Sequence, residues 1–279
     1  MKTITARETE KFKAYLLETE KSENTVEKYM RDIRFFKEWL GKSGTDKAAV
    51  LAYKKELCKL YAPKSVNSML SSLNAFFRCM GWHECKIKTL KIQRQIFADK
   101  EKELSKADYG KLLLAAKQVG NERLYYLMQT LGGTGIRISE LPYITAEAVT
   151  AGKATINCKG KIRQVFLPKE LCRMLKGYMK KRNINNGAVF ITKSGKPLDR
   201  STVWKMMKRL CENAHVSKKK VFPHNFRHLF ARAFYAVQKD IVRLADLLGH
   251  TSIETTRIYT IESGETHKMQ LARLGLLRI

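Results

Sequence analysis

Phe222-Pro223-His224-Asn225-Phe226-Arg227-His228 opens the stretch that organises this chain. An apolar, helix-like run follows, then Leu247-Leu248-Gly249-His250, then Thr255-Thr256-Arg257-Ile258-Tyr259-Thr260. His224 and Arg227 are one helical turn apart and share a helix face. Both side chains donate to anions, and the planar guanidinium fork suits a phosphate. His250 follows a glycine, and Tyr259 stands nine residues beyond it. A tyrosine beside an anion site is either a structural hydroxyl or a nucleophile, and these residues alone leave both open.

Working outward, the bulk composition supports an anionic partner. The chain has 279 residues, with Lys+Arg 54 against Asp+Glu 26, a net charge of +28 and an isoelectric point near 9.9. A surplus of that size points to a polyanion, most simply nucleic acid. An acidic membrane surface is the other anionic partner, but no basic amphipathic helix adjoins an apolar anchor. Hydrophobic residues make up 44%, enough for a folded, core-forming protein of one large or two ordinary domains. No apolar run reaches the ~18 residues of a membrane span. Met1 to Glu8 lacks the apolar core of a signal peptide, so a cytoplasmic protein is expected. Cys58, Cys79, Cys85, Cys158, Cys172 and Cys211 contain no CxxC pair and read as reduced thiols. Cys79, His83 and Cys85 lack a fourth ligand at zinc spacing, so no metal is expected there.

The N-terminal part reads as a compact helical unit. Glu8 to Glu18 carries Phe12, Tyr15 and Leu16 on one face. Asn24 with Glu27 resembles a capping box before Val26, Tyr29, Met30, Ile33, Phe36 and Leu40, and Gly41 ends that helix. Asp46 caps a third helix to Leu60. A fourth from Lys64 to Met80 turns Val66, Met69, Leu70, Leu73, Phe76, Phe77 and Met80 inward. Four amphipathic helices with short loops make a small bundle, residues 1–85. Residues 86–103 have a basic composition without a helical stripe and read as a linker, one that can either lie along phosphates or simply be solvated.

From residue 104 to 279 a larger unit is expected. Ser105 starts a helix, and Arg123 to Leu131 forms another that runs into Gly132-Gly133-Thr134-Gly135-Ile136-Arg137. The three glycines suggest tight backbone turns before the arginine. Ala154–Asn157 and Arg163–Leu167 flank Cys158-Lys159-Gly160-Lys161 as a β-hairpin. Pro168 starts a helix to about Lys181, Ala188–Thr192 reads as a short strand, Ser194-Gly195-Lys196 as a turn, and Asp199–Asn213 as a helix. Helices near 224–237, 240–248 and 252–258 follow, then an amphipathic helix from Glu265 to Leu277. The fold class is mainly α with a small β-sheet (α+β).

The segments Thr134-Gly135-Ile136-Arg137-Ile138-Ser139-Glu140-Leu141, His224-Asn225-Phe226-Arg227-His228, and Leu247-Leu248-Gly249-His250 with Thr255 to Tyr259 resemble the three signature boxes of the tyrosine recombinase (phage integrase) family. The resemblance spans essentially the whole chain. It implies that the N-terminal four-helix bundle is a core-DNA-binding (SAM-like) domain and that 104–279 is the catalytic domain. It also implies site-specific recombination through a 3′-phosphotyrosyl intermediate and a Holliday junction.

The residues carry that chemistry on their own terms. Phosphodiester cleavage needs a nucleophile, charge neutralisation on the non-bridging oxygens and an acid for the leaving oxygen. Tyr259 would attack; Arg137 and Arg227 would clamp the phosphate; His224 and His250 would donate to it or position the nucleophile, and His224 could also take the tyrosine proton. Lys159 matches the family's hairpin lysine as the acid, and Lys161 is a rival because the turn is one residue shorter than the family's usual Lys-Gly-Asn-Lys. Glu140 would buttress Arg137 or would simply lie on a helix surface. No cofactor or metal is implied, and resealing needs no ATP. The implied partners are double-stranded DNA bearing a specific recombination site and further copies of the chain, a dimer on one site and a tetramer in synapsis. Accessory proteins are left open and no membrane is implied. The final helix, with Leu271, Leu274 and Leu277 on one side, resembles the family's protomer-docking tail; its plainer reading is packing on its own domain. The bundle at the N-terminus suggests a Xer-like or simple integrase layout without an arm-binding domain.

Taken singly, each residue has a plainer reading. Tyr259 would be a packing residue, His250 a helix cap, Arg257 a solvated cation; His83, His215, His228 and His267 keep such readings. A non-catalytic DNA-binding protein of this fold and a type IB topoisomerase-like activity are the rival functions.

Overall fold

The computed structural model describes residues 2–92, 100–158, 161–192, 194–259 and 272–273. It divides into two compact units, Met1–Arg94 and Gln95–Ile279.

The first unit is a bundle of α1 (Ala6–Glu18), α2 (Glu23–Leu40), α3 (Lys47–Leu60) and α4 (Pro63–Cys79). Helical spacing brings Phe12, Ile33, Phe36, Val50, Val66, Leu70, Leu73, Phe76 and Phe77 to one fully buried core. Each such side chain contributes about 1.5–3 kcal/mol on leaving water. Phe76 meets Phe12 edge-on at 5.2 Å. Asp46 caps α3 as expected, accepting from the amide of Ala49 at 2.7 Å. The start of α2 differs: Ser22, not Asn24, is the N-cap, and it makes no side-chain cap bond. The capping box belongs instead to Thr5 and Glu8 at α1.

A second difference concerns the basic segment expected as linker from residue 86. Its first residues belong to the bundle. Ile87 is buried in the same core, and Leu90 packs against it. Asn74 pairs with both backbone groups of Ile87 (2.8 and 3.0 Å), and Asn67 does the same for Leu90 (2.9 and 2.7 Å). Two apolar residues among lysines were too sparse to show a stripe, so the sequence pattern missed them.

The second unit contains α5 (Lys106–Gln118), α6 (Glu122–Thr134), a 3-10 segment Ile138–Tyr143, α7 (Ala146–Ala151), β1 (Lys153–Cys158), β2 (Lys161–Phe166), α8 (Lys169–Arg182), α9 (Arg200–Asn213), α10 (Pro223–Gln238), α11 (Ile241–Leu248) and α12 (Ile253–Arg257). Ser105 caps α5 in a reciprocal capping box with Asp108. The strands pair antiparallel, with Cys158 opposite Lys161 and Lys153 opposite Phe166. The segment read as a strand at 188–192 forms only isolated bridges, Thr145 with Ala188 and Ile191 with Pro197. Among the described residues the sheet therefore has two strands.

The glycine cluster also behaves differently from expectation. Gly132 and Gly133 continue α6, and only Gly135 turns left-handed, at φ 64°. The core of this unit runs through Leu112, Leu127, Met128, Leu131, Ile136, Leu175, Val203, Met207 and Phe226. A smaller cluster of Ala231, Leu244, Leu248 and Tyr259 sits beneath the C-terminal boxes. Among the described residues, no helix is long and apolar enough to cross a membrane, and no group of three His, Cys, Asp or Glu could hold a metal ion. The expected C-terminal helix 265–277, with Leu271, Leu274 and Leu277, falls outside the described residues apart from 272–273, which are helical.

Candidate active site

Arg227 is the centre of the site. It lies in α10, whose start is set by Pro223 at the first helical position, where a missing N–H costs nothing. That helix end is fixed by Asn225, which donates to the carbonyls of Lys102 (2.6 Å) and Lys220 (2.7 Å). Arg227 is 1% exposed. Its Nη1 donates to the Gly135 carbonyl at 2.8 Å, and its Nη2 donates to the Leu248 carbonyl at 2.8 Å and to His250 Nε2 at 2.7 Å. One cation thus ties the end of α6 to the end of α11. Its Nε is buried without a hydrogen-bond partner. Burial first, then the charge of Arg137, lowers its pKa to about 10, while the nearby Tyr259 hydroxyl and Glu140 act in the opposite direction. It therefore remains a full cation at neutral pH.

The contact with Arg227 fixes the protonation of His250. A guanidinium can only donate, so His250 Nε2 must accept. Nδ1 then carries the proton and donates to Thr256 Oγ1 at 2.8 Å. Burial, followed by Arg227, Arg137, Arg163 and His224, pushes the His250 pKa down to about 4, which agrees with a neutral ring. Both ring nitrogens are engaged, so in this arrangement His250 orients Arg227 and has no proton free to donate elsewhere. Thr256, fully buried on α12, accepts the hydrogen bond from the proton that the Arg227 contact leaves on Nδ1.

Tyr259 is 3% exposed and packs with Ala231, Leu244 and Leu248. Its ring stacks on His250 at 5.9 Å and meets His228 edge-on at 4.7 Å. His228 in turn meets His224 edge-on at 4.7 Å. Burial, then the charges of His224, Arg232 and Arg227, lowers the His228 pKa to about 4. His224, in the first turn of α10, is lowered by burial and then by Arg227, Arg137 and Arg200. Its position favours anion binding because unpaired backbone N–H groups point out of that helix end.

Arg137 leaves 41% of its side chain exposed, the open arm of the site. It is held by Glu140, which is 2% exposed. One carboxylate oxygen accepts from Arg137 Nη1 at 3.0 Å, and the other from the Arg137 backbone N–H at 2.7 Å. Of the two expectations for Glu140, the buried buttress is the one observed. Arg163 on β2 completes the group by donating to the same carboxylate at 2.7 Å and to the Leu247 carbonyl at 2.8 Å. Neither Arg163 nor Thr256 was anticipated from the sequence.

Lys159 lies outside the described residues, and for Lys161 only the backbone, at the start of β2, is described. Arg137, His224, Arg227, His250 and Tyr259 come together in one place. Arg257 lies at the C-terminal end of α12, more than half exposed and beside Glu254.

Against known proteins, residues 102–265 match the profile of the phage integrase family, and residues 9–83 match that of the phage integrase N-terminal SAM-like domain. The chain belongs to the phage integrase family. Members of this family are tyrosine recombinases, enzymes that cut and rejoin DNA at specific sites. Tyrosine recombinase XerA of Pyrococcus furiosus is 30% identical over 99% of the chain and 96% of its own length. Two solved structures share the fold: XerH site-specific recombinase bound to difH substrate in a pre-cleavage complex (20% identity, TM-score 0.68, 84% of this chain and 76% of that one), and a lambda integrase tetramer bound to a Holliday junction (18%, 0.72, 92% and 77%). For this integrase-family chain, the site above lies entirely within the 102–265 match.

Proposed function

We propose that this recombinase cleaves DNA with Tyr259 as nucleophile and Arg137 and Arg227 as the phosphate clamp. The observation that carries the proposal is the tyrosine hydroxyl held beside the buried guanidinium of Arg227, with the exposed arm of Arg137 close enough to lower that guanidinium's pKa.

In the forward step a bond forms between Tyr259 Oη and phosphorus, and the bond from phosphorus to the 5′ oxygen breaks. The phenol loses a proton, and the leaving 5′ oxygen gains one. His224 is suited to take the first, because desolvation and the charges of Arg227, Arg137 and Arg200 push its pKa below the ordinary 6.5 and favour the neutral ring. Lys159 supplies the second, with Lys161 as the rival on the same hairpin. The two guanidiniums offset charge on the non-bridging oxygens without losing protons, and His250 holds Arg227 for that work. The product is a 3′-phosphotyrosyl enzyme and a free 5′ hydroxyl. A 5′ hydroxyl from the partner strand reverses the step, giving a Holliday junction without ATP. The partner is double-stranded DNA with a specific site, bound by a dimer and paired in a tetramer, with accessory proteins as a further option. The net charge of +28 favours binding the backbone of such a substrate.

A nicked suicide duplex tests the proposal. The full chain should form a denaturation-resistant protein–DNA adduct, and Tyr259→Phe should abolish it while leaving DNA binding intact. Retained adduct in Tyr259→Phe, or loss of binding together with the adduct, would contradict the assignment.

A further inference from the structure

We infer that Arg163 is a positioning residue that holds both halves of the phosphate site, Arg137 through Glu140 and His250 through the turn that precedes it. The inference rests on the recombinase reading above.

Three contacts carry it. Arg163 Nη2 shares the Glu140 carboxylate with Arg137, at 2.7 Å. Its Nη1 binds the Leu247 carbonyl at 2.8 Å, three residues before His250 and beside the Leu248 carbonyl that receives Arg227. The turn is also shaped around it: Gly249 has φ +65°, and a Cβ there would lie 2.4 Å from Arg163 Cδ and 2.8 Å from Nε. The side chain is 16% exposed and reaches these partners from β2, the strand that follows the hairpin turn. A planar fork can bridge a carboxylate and a carbonyl in fixed directions, whereas a lysine ammonium is a point charge without that fixed fork. Without Arg163, one Glu140 oxygen would keep only the backbone N–H of Arg137, and the His250 turn would lose its tie to the Arg137 side of the site. Displacements of about 1 Å in a catalytic constellation can cost about a hundredfold in rate.

The test uses the full chain, nicked suicide duplexes and the variants Arg163→Met, Arg163→Lys, Glu140→Gln and Arg163→Met/Glu140→Gln. Arg163→Met should form adduct about a hundredfold more slowly with DNA binding unchanged. Arg163→Lys should recover part of the rate. The double variant should lose less than the product of the two single losses, since both substitutions break the same carboxylate contact. A duplex with sulfur in place of the bridging 5′ oxygen needs no acid for its leaving group, so the Arg163→Met defect should persist on it. Wild-type rate in Arg163→Met, losses that multiply in the double variant, or full recovery on the sulfur duplex would overturn the inference. If Arg163→Met fails to fold, Arg163→Lys decides: a rate equal to wild type on both duplexes overturns it. Absence of adduct from the unaltered chain would instead count against the recombinase reading itself.

Discussion

Gly132, Gly133 and Gly135 differ by one methyl group's worth of space, and alanine substitution at each should separate them. At Gly135 the added Cβ would lie 2.4 Å from Phe230 Cδ1 and 2.9 Å from Cε1, with the backbone at φ +64°. A left-handed conformation costs an L-residue about 1–2 kcal/mol. Forcing a packed ring aside adds about 1–3 kcal/mol, and the half-buried Phe230 packs against the cluster of Ala231, Leu244, Leu248 and Tyr259. The sum centres on about 3 kcal/mol, equivalent to about 6–12 °C in melting temperature for a unit of this size. Gly133 has nothing within 4 Å and is helical, so alanine there should stabilise by up to about 1 kcal/mol. Gly132 faces the Tyr109 hydroxyl at 3.0 Å and should fall between. Differential scanning fluorimetry of the three full-length variants is the assay. Because the Gly135 carbonyl receives Arg227 Nη1, Gly135→Ala should also slow adduct formation. Equal shifts for Gly133→Ala and Gly135→Ala would refute this account of the turn.

Other consequences can be checked in the same laboratory. His250 and His228 have pKa values of about 4 in the folded chain against an ordinary 6.5, so the unfolded chain binds more protons between those limits. Stability should therefore fall as pH drops from 6.5 towards 4, and His228→Gln should flatten that slope in melting curves. Glu140→Gln leaves Arg163 without its carboxylate partner, a change of about 3–5 kcal/mol for a buried pair; thermal melting should reveal it, and an unchanged melting temperature would mean that water reaches the pair. In the bundle, Asp32 is 3% exposed and pairs with Lys28 at 2.8 Å and Ser72 at 2.7 Å. Lys28→Met should destabilise the chain more than Lys59→Met, whose partner Glu56 is exposed.

Local signals in the sequence described much of this fold. Ser105 and Asp46 cap helices through bonds only three residues long, and the stripes on α2 and α4 have the helical period, so short-range chemistry decides them. The three boxes were legible for the same reason, as each is a contiguous segment. Long-range geometry was not. Arg163 meets partners 23 and 84 residues away, and nothing near it in sequence announces either. The Ala188–Thr192 segment has strand-like composition, but tertiary neighbours provide only single bridges. Ile87 and Leu90 look like isolated apolar residues in a basic segment until Asn74 and Asn67 present their amides. The sequence left His250 as a donor to the phosphate or a positioning residue, and only the long-range contact with Arg227 shows its Nε2 accepting.

The most direct test of the central claim is to trap the covalent complex on a nicked duplex, digest it, and map the nucleotide-bearing peptide by mass spectrometry. The account predicts a single modified residue, Tyr259, joined through phosphate to the 3′ end of the cleaved strand. A modification at any other residue, or a linkage to a 5′ phosphate, would contradict it.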